Sequence, residues 1–185
     1  YEGDPVVWPR LFTRRDVDHV LAAALLHDIG QYPFSHTIED LKKLSDLEGK
    51  RGGLDATSEP LRRIRHDQEL AKDYLSAAVG DKESIASILE AHGYAVDDLH
   101  YMMLKTERDW QKPATLNLGR DLISGVIDVD RVTYLRHDSD RTGVPYGNAI
   151  DIGSLAEALT IRWERDSGKE RVWLGVEEAG ISAVE

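Results

Sequence analysis

His27 and Asp28 stand side by side at the end of the apolar run Ala22-Ala23-Ala24-Leu25-Leu26, just ahead of Gly30. An imidazole nitrogen and a carboxylate oxygen are donors that a borderline or hard divalent cation accepts. Against apolar neighbours the pair is costly unless a cation or a hydrogen-bond partner compensates it. Consecutive residues of an ideal helix point about 100° apart. The two side chains can therefore converge on one ion only where the helix is ending, and Gly30 puts them there. A further carboxylate must come from elsewhere. The stretch Ile127-Asp128-Val129-Asp130-Arg131-Val132-Thr133-Tyr134-Leu135-Arg136-His137-Asp138-Ser139 offers one. At helical spacing Ile127, Arg131, Tyr134 and Asp138 share a face, with Asp130 beside it. A polar stripe of this kind either faces solvent or lines a site.

The elements that must position these residues are mostly helical. Asp16 is suited to N-cap a helix through Val17, Val20, Leu21, Ala24, Leu25 and Asp28, stopped by Gly30 and Pro33. Further helices are expected at Ser35–Leu47, Arg62–Val79, Lys82–His92, Val96–Lys105, Leu116–Asp138 and Leu155–Leu159, with a turn-rich break from Gly143 to Gly147. The period then changes. Thr160–Glu164 and Glu170–Val176 alternate around a turn, which predicts a β-hairpin over residues 160–176. The expected fold is mostly α, a helical bundle with a small C-terminal β-hairpin, in one domain over residues 1–185 whose two ends look cut from a longer polypeptide.

Composition sets the outer limits. The 185 residues carry a formal charge of −11, from 23 basic and 34 acidic side chains, which argues against general nucleic-acid binding through phosphate contacts. An anionic small substrate remains compatible, because local basic clusters such as Arg62, Arg63 and Arg65 can oppose the global sign. The chain has no cysteine, so disulfides and thiolate metal sites are excluded. No apolar run approaches the roughly 20 residues of a membrane span. A soluble, cytoplasmic protein is expected. Trp8, Trp110, Trp163 and Trp173 read as packing residues, and His92, His100 and His137 have no partner at a useful spacing.

The decapeptide His27-Asp28-Ile29-Gly30-Gln31-Tyr32-Pro33-Phe34-Ser35-His36 resembles the signature of HD-domain phosphohydrolases. Asp128-Val129-Asp130-Arg131-Val132-Thr133-Tyr134-Leu135-Arg136-His137-Asp138 resembles the later segment of the deoxynucleoside triphosphate triphosphohydrolase branch. The parts occur in the same order, from about residue 20 to residue 148. The resemblance implies an HD-domain bundle with His27, Asp28 and Asp130 on a divalent metal (Mn, Fe, Mg, Ni or Zn). It implies His66 as the catalytic acid/base, in the segment Ile64-Arg65-His66-Asp67-Gln68-Glu69, with Glu39 as its carboxylate partner. It implies His36 on phosphate, Arg131 on the triphosphate, Tyr134 against the sugar and Asp138 on its 3′-hydroxyl. The family's first histidine ligand, which precedes the doublet in a segment like His-Ser-Leu-Gly, has no counterpart between Tyr1 and Arg15. His19 lies over two turns from His27 on the same helix, too far to replace it. Gln31 stands where some relatives have another histidine.

The resemblance thus implies a metal-dependent nucleotide phosphohydrolase, releasing deoxynucleoside and triphosphate from a dNTP, with no membrane partner and a homo-oligomeric assembly. Another HD-type phosphodiesterase or phosphomonoesterase is the competing enzyme. The Gly-Tyr-Pro hallmark of the cyclic-dinucleotide branch is approached only by Gly93-Tyr94-Ala95. A nucleotide-sensing HD domain without turnover is the non-enzymatic alternative, kept open by the missing first histidine.

Overall fold

The computed structural model describes residues 12–32, 37, 40, 67–78, 80–104, 108–125, 129–145, 147–166 and 169–181. The chain forms two compact units, one of Tyr1–Ala24 with Asp97–Glu185 and the other of Leu25–Val96. As expected, the fold is mostly α with a late hairpin. Among the described residues, no helix is long and apolar enough to cross a membrane.

Helix α1 spans Arg14–Leu26. Its start differs from expectation: Asp16 is not the N-cap but sits in the first turn. The Thr13 hydroxyl accepts from the Asp16 N–H at 3.2 Å, while the Asp16 carboxylate accepts from the Thr13 N–H at 2.8 Å. This reciprocal capping box satisfies two orphan donors at once. The buried face also departs from expectation. His19 and Ala23 are buried, whereas Leu21 is 61% and Leu25 85% exposed. His19 tolerates burial because its Nδ1 bonds the Arg15 carbonyl at 2.8 Å.

In the first unit, α4 (Val96–Met103) buries Leu99, Tyr101, Met102 and Met103, and α5 (Ala114–Ser124) crosses close by. A side chain at Gly119 of α5 would come within 2.6 Å of Met102 Sδ and 2.9 Å of Val20 Cγ2. The Tyr101 hydroxyl donates to Asn117 Oδ1 at 2.6 Å and accepts from the Asp109 N–H at 3.1 Å. Asn117 Nδ2 donates in turn to the Asp109 and Lys112 carbonyls, each at 3.2 Å. A satisfied network of this sort fixes the loop between α4 and α5.

The single helix expected over Leu116–Asp138 is instead two, α5 and α6 (Val129–Thr142). Gly125 ends α5 with an extended ψ of −170°, and a Cβ there would collide with the Asp121 carbonyl. Helix α6 runs beyond Asp138 and stops at Gly143, whose φ of 74° is left-handed. The expected turn follows, held by the Gly147 N–H donating to the buried Ser139 hydroxyl at 2.6 Å. The next helix, α7, lies at Ile152–Glu157 rather than Leu155–Leu159, because Asp151 caps it, accepting from the Ser154 N–H at 3.1 Å. The hairpin pairs β1 (Leu159–Asp166) with β2 (Lys169–Val176) antiparallel, and a short α8 (Glu178–Ile181) follows. Leu118 of α5 packs with Ile161 and Val172, flanked by Phe12, Ala114 and Leu174. Trp110 and Trp173 meet edge to face at 5.4 Å, as packing residues do. Trp163 does not pack in this way. It lies nearer the hairpin tip than Ile161 and is 45% exposed.

In the second unit, α2 (Asp67–Ser76) packs on α3 (Ile85–Ala91), and its Ala71 and Leu75 are buried. Ser84 caps α3, accepting from the Ser87 N–H at 3.1 Å. Its far end is closed by Gly93, with φ 84°. The Gly93 N–H reaches the Glu90 carbonyl and the Tyr94 N–H the Leu89 carbonyl, each at 2.9 Å, a Schellman motif. The expected helix at Ser35–Leu47 and the residues Arg62–His66 lie largely outside the described residues.

Candidate metal centre

Helix α1 ends at Leu26, two residues before the expected end, and the chain leaves it through two overlapping turns. The Ile29 N–H donates to the Leu26 carbonyl at 3.0 Å and the Gln31 N–H to the Asp28 carbonyl at 2.9 Å. His27 and Asp28 are thereby freed from the helical fan that would point them apart. His27 Nε2 lies 3.2 Å from Asp28 Oδ1. Donor atoms bonded to one cation at about 2.1 Å stand roughly 3.0 to 3.4 Å apart at octahedral or tetrahedral angles, so this spacing suits a shared ion as well as a hydrogen bond. The two side chains are 25% and 49% exposed, while the His27 Nε2 atom itself is buried, a polar atom facing the neighbouring carboxylate rather than solvent. The donor set, one imidazole and one carboxylate, fits a borderline divalent cation and not a soft one.

Helix α6 belongs to the first unit and carries the polar stripe. Asp130 lies in its first turn and is half-buried, while Arg131 and Asp138 are exposed. Tyr134 is 45% exposed, so it is not core filler. Arg131, Tyr134 and Asp138 recur at three- and four-residue intervals along one face of α6. His36, Glu39 and His66, and the basic run Arg62, Arg63 and Arg65, lie outside the described residues.

No pattern in the sequence signals the pair Arg108 and Asp121. Arg108 Nη2 is ion-paired with Asp121 Oδ1, both groups nearly buried, and its guanidinium lies 4.9 Å from the Trp110 ring centroid. The two residues are 13 apart in a loop and a helix, a separation that no local pattern encodes.

The HD domain family model matches residues 7–132, a span that takes in His27, Asp28 and Asp130. The chain belongs to the HD domain family. The chain is similar to the uncharacterized protein YwfO of Bacillus subtilis, 28% identical over 89% of this chain and 29% of that protein. It is similar to the uncharacterized protein MJ1154 of Methanocaldococcus jannaschii, 29% identical over 92% of this chain and 27% of that protein. A deoxyguanosinetriphosphate triphosphohydrolase-like protein of Paracoccus denitrificans is 28% identical over 66% of this chain and 32% of its own length. The chain thus spans about 27 to 32% of the length of these relatives. No solved structure matches it at a comparable level. HD domains bind divalent metals and belong to a hydrolase family, in keeping with the donors at the end of α1.

Proposed function

We propose that this HD domain is the hydrolytic part of a metal-dependent nucleotide phosphohydrolase, acting on dNTPs to give deoxynucleoside and triphosphate. The observation that carries the reading is the approach of His27 Nε2 to Asp28 Oδ1 in the turn that ends α1. The name of the Paracoccus relative supports the choice of substrate. In this reading His27, Asp28 and Asp130 hold one divalent cation. When bound, the ion supplies Lewis acidity to a phosphoryl group and acidity to water.

The remaining roles fall to the chain's own side chains. Arg131 neutralises the triphosphate and His36 contacts a phosphate oxygen. Tyr134 fills the space beside the sugar, where a 2′-hydroxyl would clash, and Asp138 accepts a hydrogen bond from the 3′-hydroxyl. Water attacks the α-phosphorus, its bond to the 5′-oxygen breaks, and His66 delivers a proton to the departing oxygen. Glu39 fixes the tautomer of His66 and stabilises its charged form, which keeps that proton available near neutral pH. The cytoplasmic setting expected from the composition belongs to the same proposal.

The test is chromatography of the products formed from dNTPs and NTPs with Mn²⁺ by the full-length polypeptide, alongside its variants. Deoxynucleoside and tripolyphosphate are expected from dNTPs alone, with no product from His27→Ala. Asp130→Ala should lose bound metal with its helical far-UV signal intact, and His66→Ala should keep the metal and lose turnover. Metal retained by Asp130→Ala would remove that ligand, and full turnover by His66→Ala would remove that acid. Bound metal with no product from any nucleotide would point to a sensing domain.

A further inference from the structure

The hairpin treats its two edges differently. On β2 two of the outward groups at mid-strand are occupied. Arg108 Nη1 donates to the Val172 carbonyl at 2.8 Å, and the Leu174 N–H donates to Asp121 Oδ2 at 2.9 Å. These bonds fix the phase of the ladder. In an antiparallel pair, opposed residues either both turn their N–H and C=O groups inward or both turn them outward, in alternation. Val172 is opposed to Trp163 and Leu174 to Ile161. The N–H and C=O groups of Ile161 and Trp163 therefore point away from β2, along the outer edge of β1.

Among the described residues, no further strand lies on that edge and no hydrogen bond reaches those groups. Strand β1 is eight residues long, pairs without a bulge, and contains neither proline nor lysine. Proline, lysine and a bulge, three devices that keep an open edge from templating another strand, are thus absent, and the charges that the strand carries at Arg162 and Glu164 are of opposite sign. Trp163 is 45% exposed, and Arg162 and Glu164 on either side of it are exposed too.

We propose that the edge of β1 takes up a second copy of this chain, β1 against β1, antiparallel about a two-fold axis at Trp163. The charge pattern selects both the occupant and the register. With the axis at Trp163, Arg162 lies opposite Glu164 of the second copy and Glu164 opposite its Arg162, while the two Trp163 rings become cross-strand neighbours. An axis one residue earlier, at Arg162, opposes like charges. An axis at Ile161 sets Arg162 against Thr160 and Glu164 against Ala158, leaving both charges uncompensated. The self-complementary triplet Arg-Trp-Glu fits its own antiparallel copy, and the product is a four-stranded sheet.

The decisive measurement pairs sedimentation with amide exchange on the chain across a concentration series. The outward amides of Ile161 and Trp163 should slow at least tenfold as the dimer forms, while the inward amides stay protected throughout. Trp163→Pro removes an outward N–H that the hairpin itself does not use, so it should raise the dimer Kd at least tenfold and leave the hairpin folded. Arg162→Glu alone and Glu164→Arg alone should each be monomeric where the wild type is dimeric, and mixing the two variants should restore the dimer. Outward amides that exchange independently of concentration would overturn the proposal, whether fast (no strand is added) or slow (the chain's own segment covers the edge). So would a dimer that survives Trp163→Pro, or a mixture of the charge variants that stays monomeric.

Discussion

At the scale of single residues, the same few backbone bonds decide what a side chain can do. Asp16 shows this at the start of α1. Burial pushes its carboxyl up, but the Thr13 hydroxyl and backbone N–H outweigh that and, with His19 nearby, hold it below the usual carboxylate value. A group depressed in the folded state adds stability at neutral pH and loses it as pH falls through its folded pKa, below the ordinary carboxylate range. Asp16→Ala should therefore cost about 1 kcal/mol at neutral pH, with the gap to wild type closing in acid. Denaturant melts of both proteins at several pH values measure it, and a gap constant with pH would deny the capping box that role. The sequence indicated an acidic residue at this helix start, but not that Thr13 takes the cap. Ser, Thr and Asp are all good caps, and only the reciprocal bonds distinguish an N-cap from a third-position partner. The approach of His27 and Asp28 was legible for a different reason: Gly30 and Pro33 together signal a helix end close to the doublet, although the helix already stops at Leu26.

Elements follow the same division between local and distant causes. The hairpin was legible because alternation over β1 and β2 is written in consecutive residues. The break between α5 and α6 was not, since Gly125 inside a helical pattern is compatible with a continuous helix until its ψ is known. The burial of His19 instead of Leu21 and Leu25 was hidden too, because periodicity gives a helix an apolar face without saying which neighbour arrives to cover it. Arg108 and Asp121 belong wholly to the distant class. Their side chains are 14% and 11% exposed, so truncating one leaves the other charge buried without its counter-ion. Asp121→Ala should destabilise the chain by about 3 to 5 kcal/mol and speed exchange at the Leu174 amide. Thermal unfolding and amide exchange report the two effects, and a loss below about 1 kcal/mol would mean that the pair is dispensable.

For the whole molecule, the charge of −11 and the candidate metal ligands both favour cations, in ways that can be told apart. Any salt screens the net charge, whereas a cation held by the native state alone stabilises by mass action, about 2.7 kcal/mol at a concentration a hundredfold above its Kd. Mn²⁺ should raise the Tm of the wild type beyond what NaCl does at matched ionic strength, and the excess should vanish in Asp28→Ala. Equal shifts in both proteins would reduce the effect to screening. The hairpin has a consequence of its own for the order of folding. A lone two-stranded hairpin is marginal in water, and the bonds that fasten this one reach back 64 residues to Arg108 and 53 to Asp121. The strands that are written most locally in the chain thus depend on distant partners for their hold, and β2 is expected to dock late in folding and to open early when α5 loosens, which amide exchange at Leu174 would report.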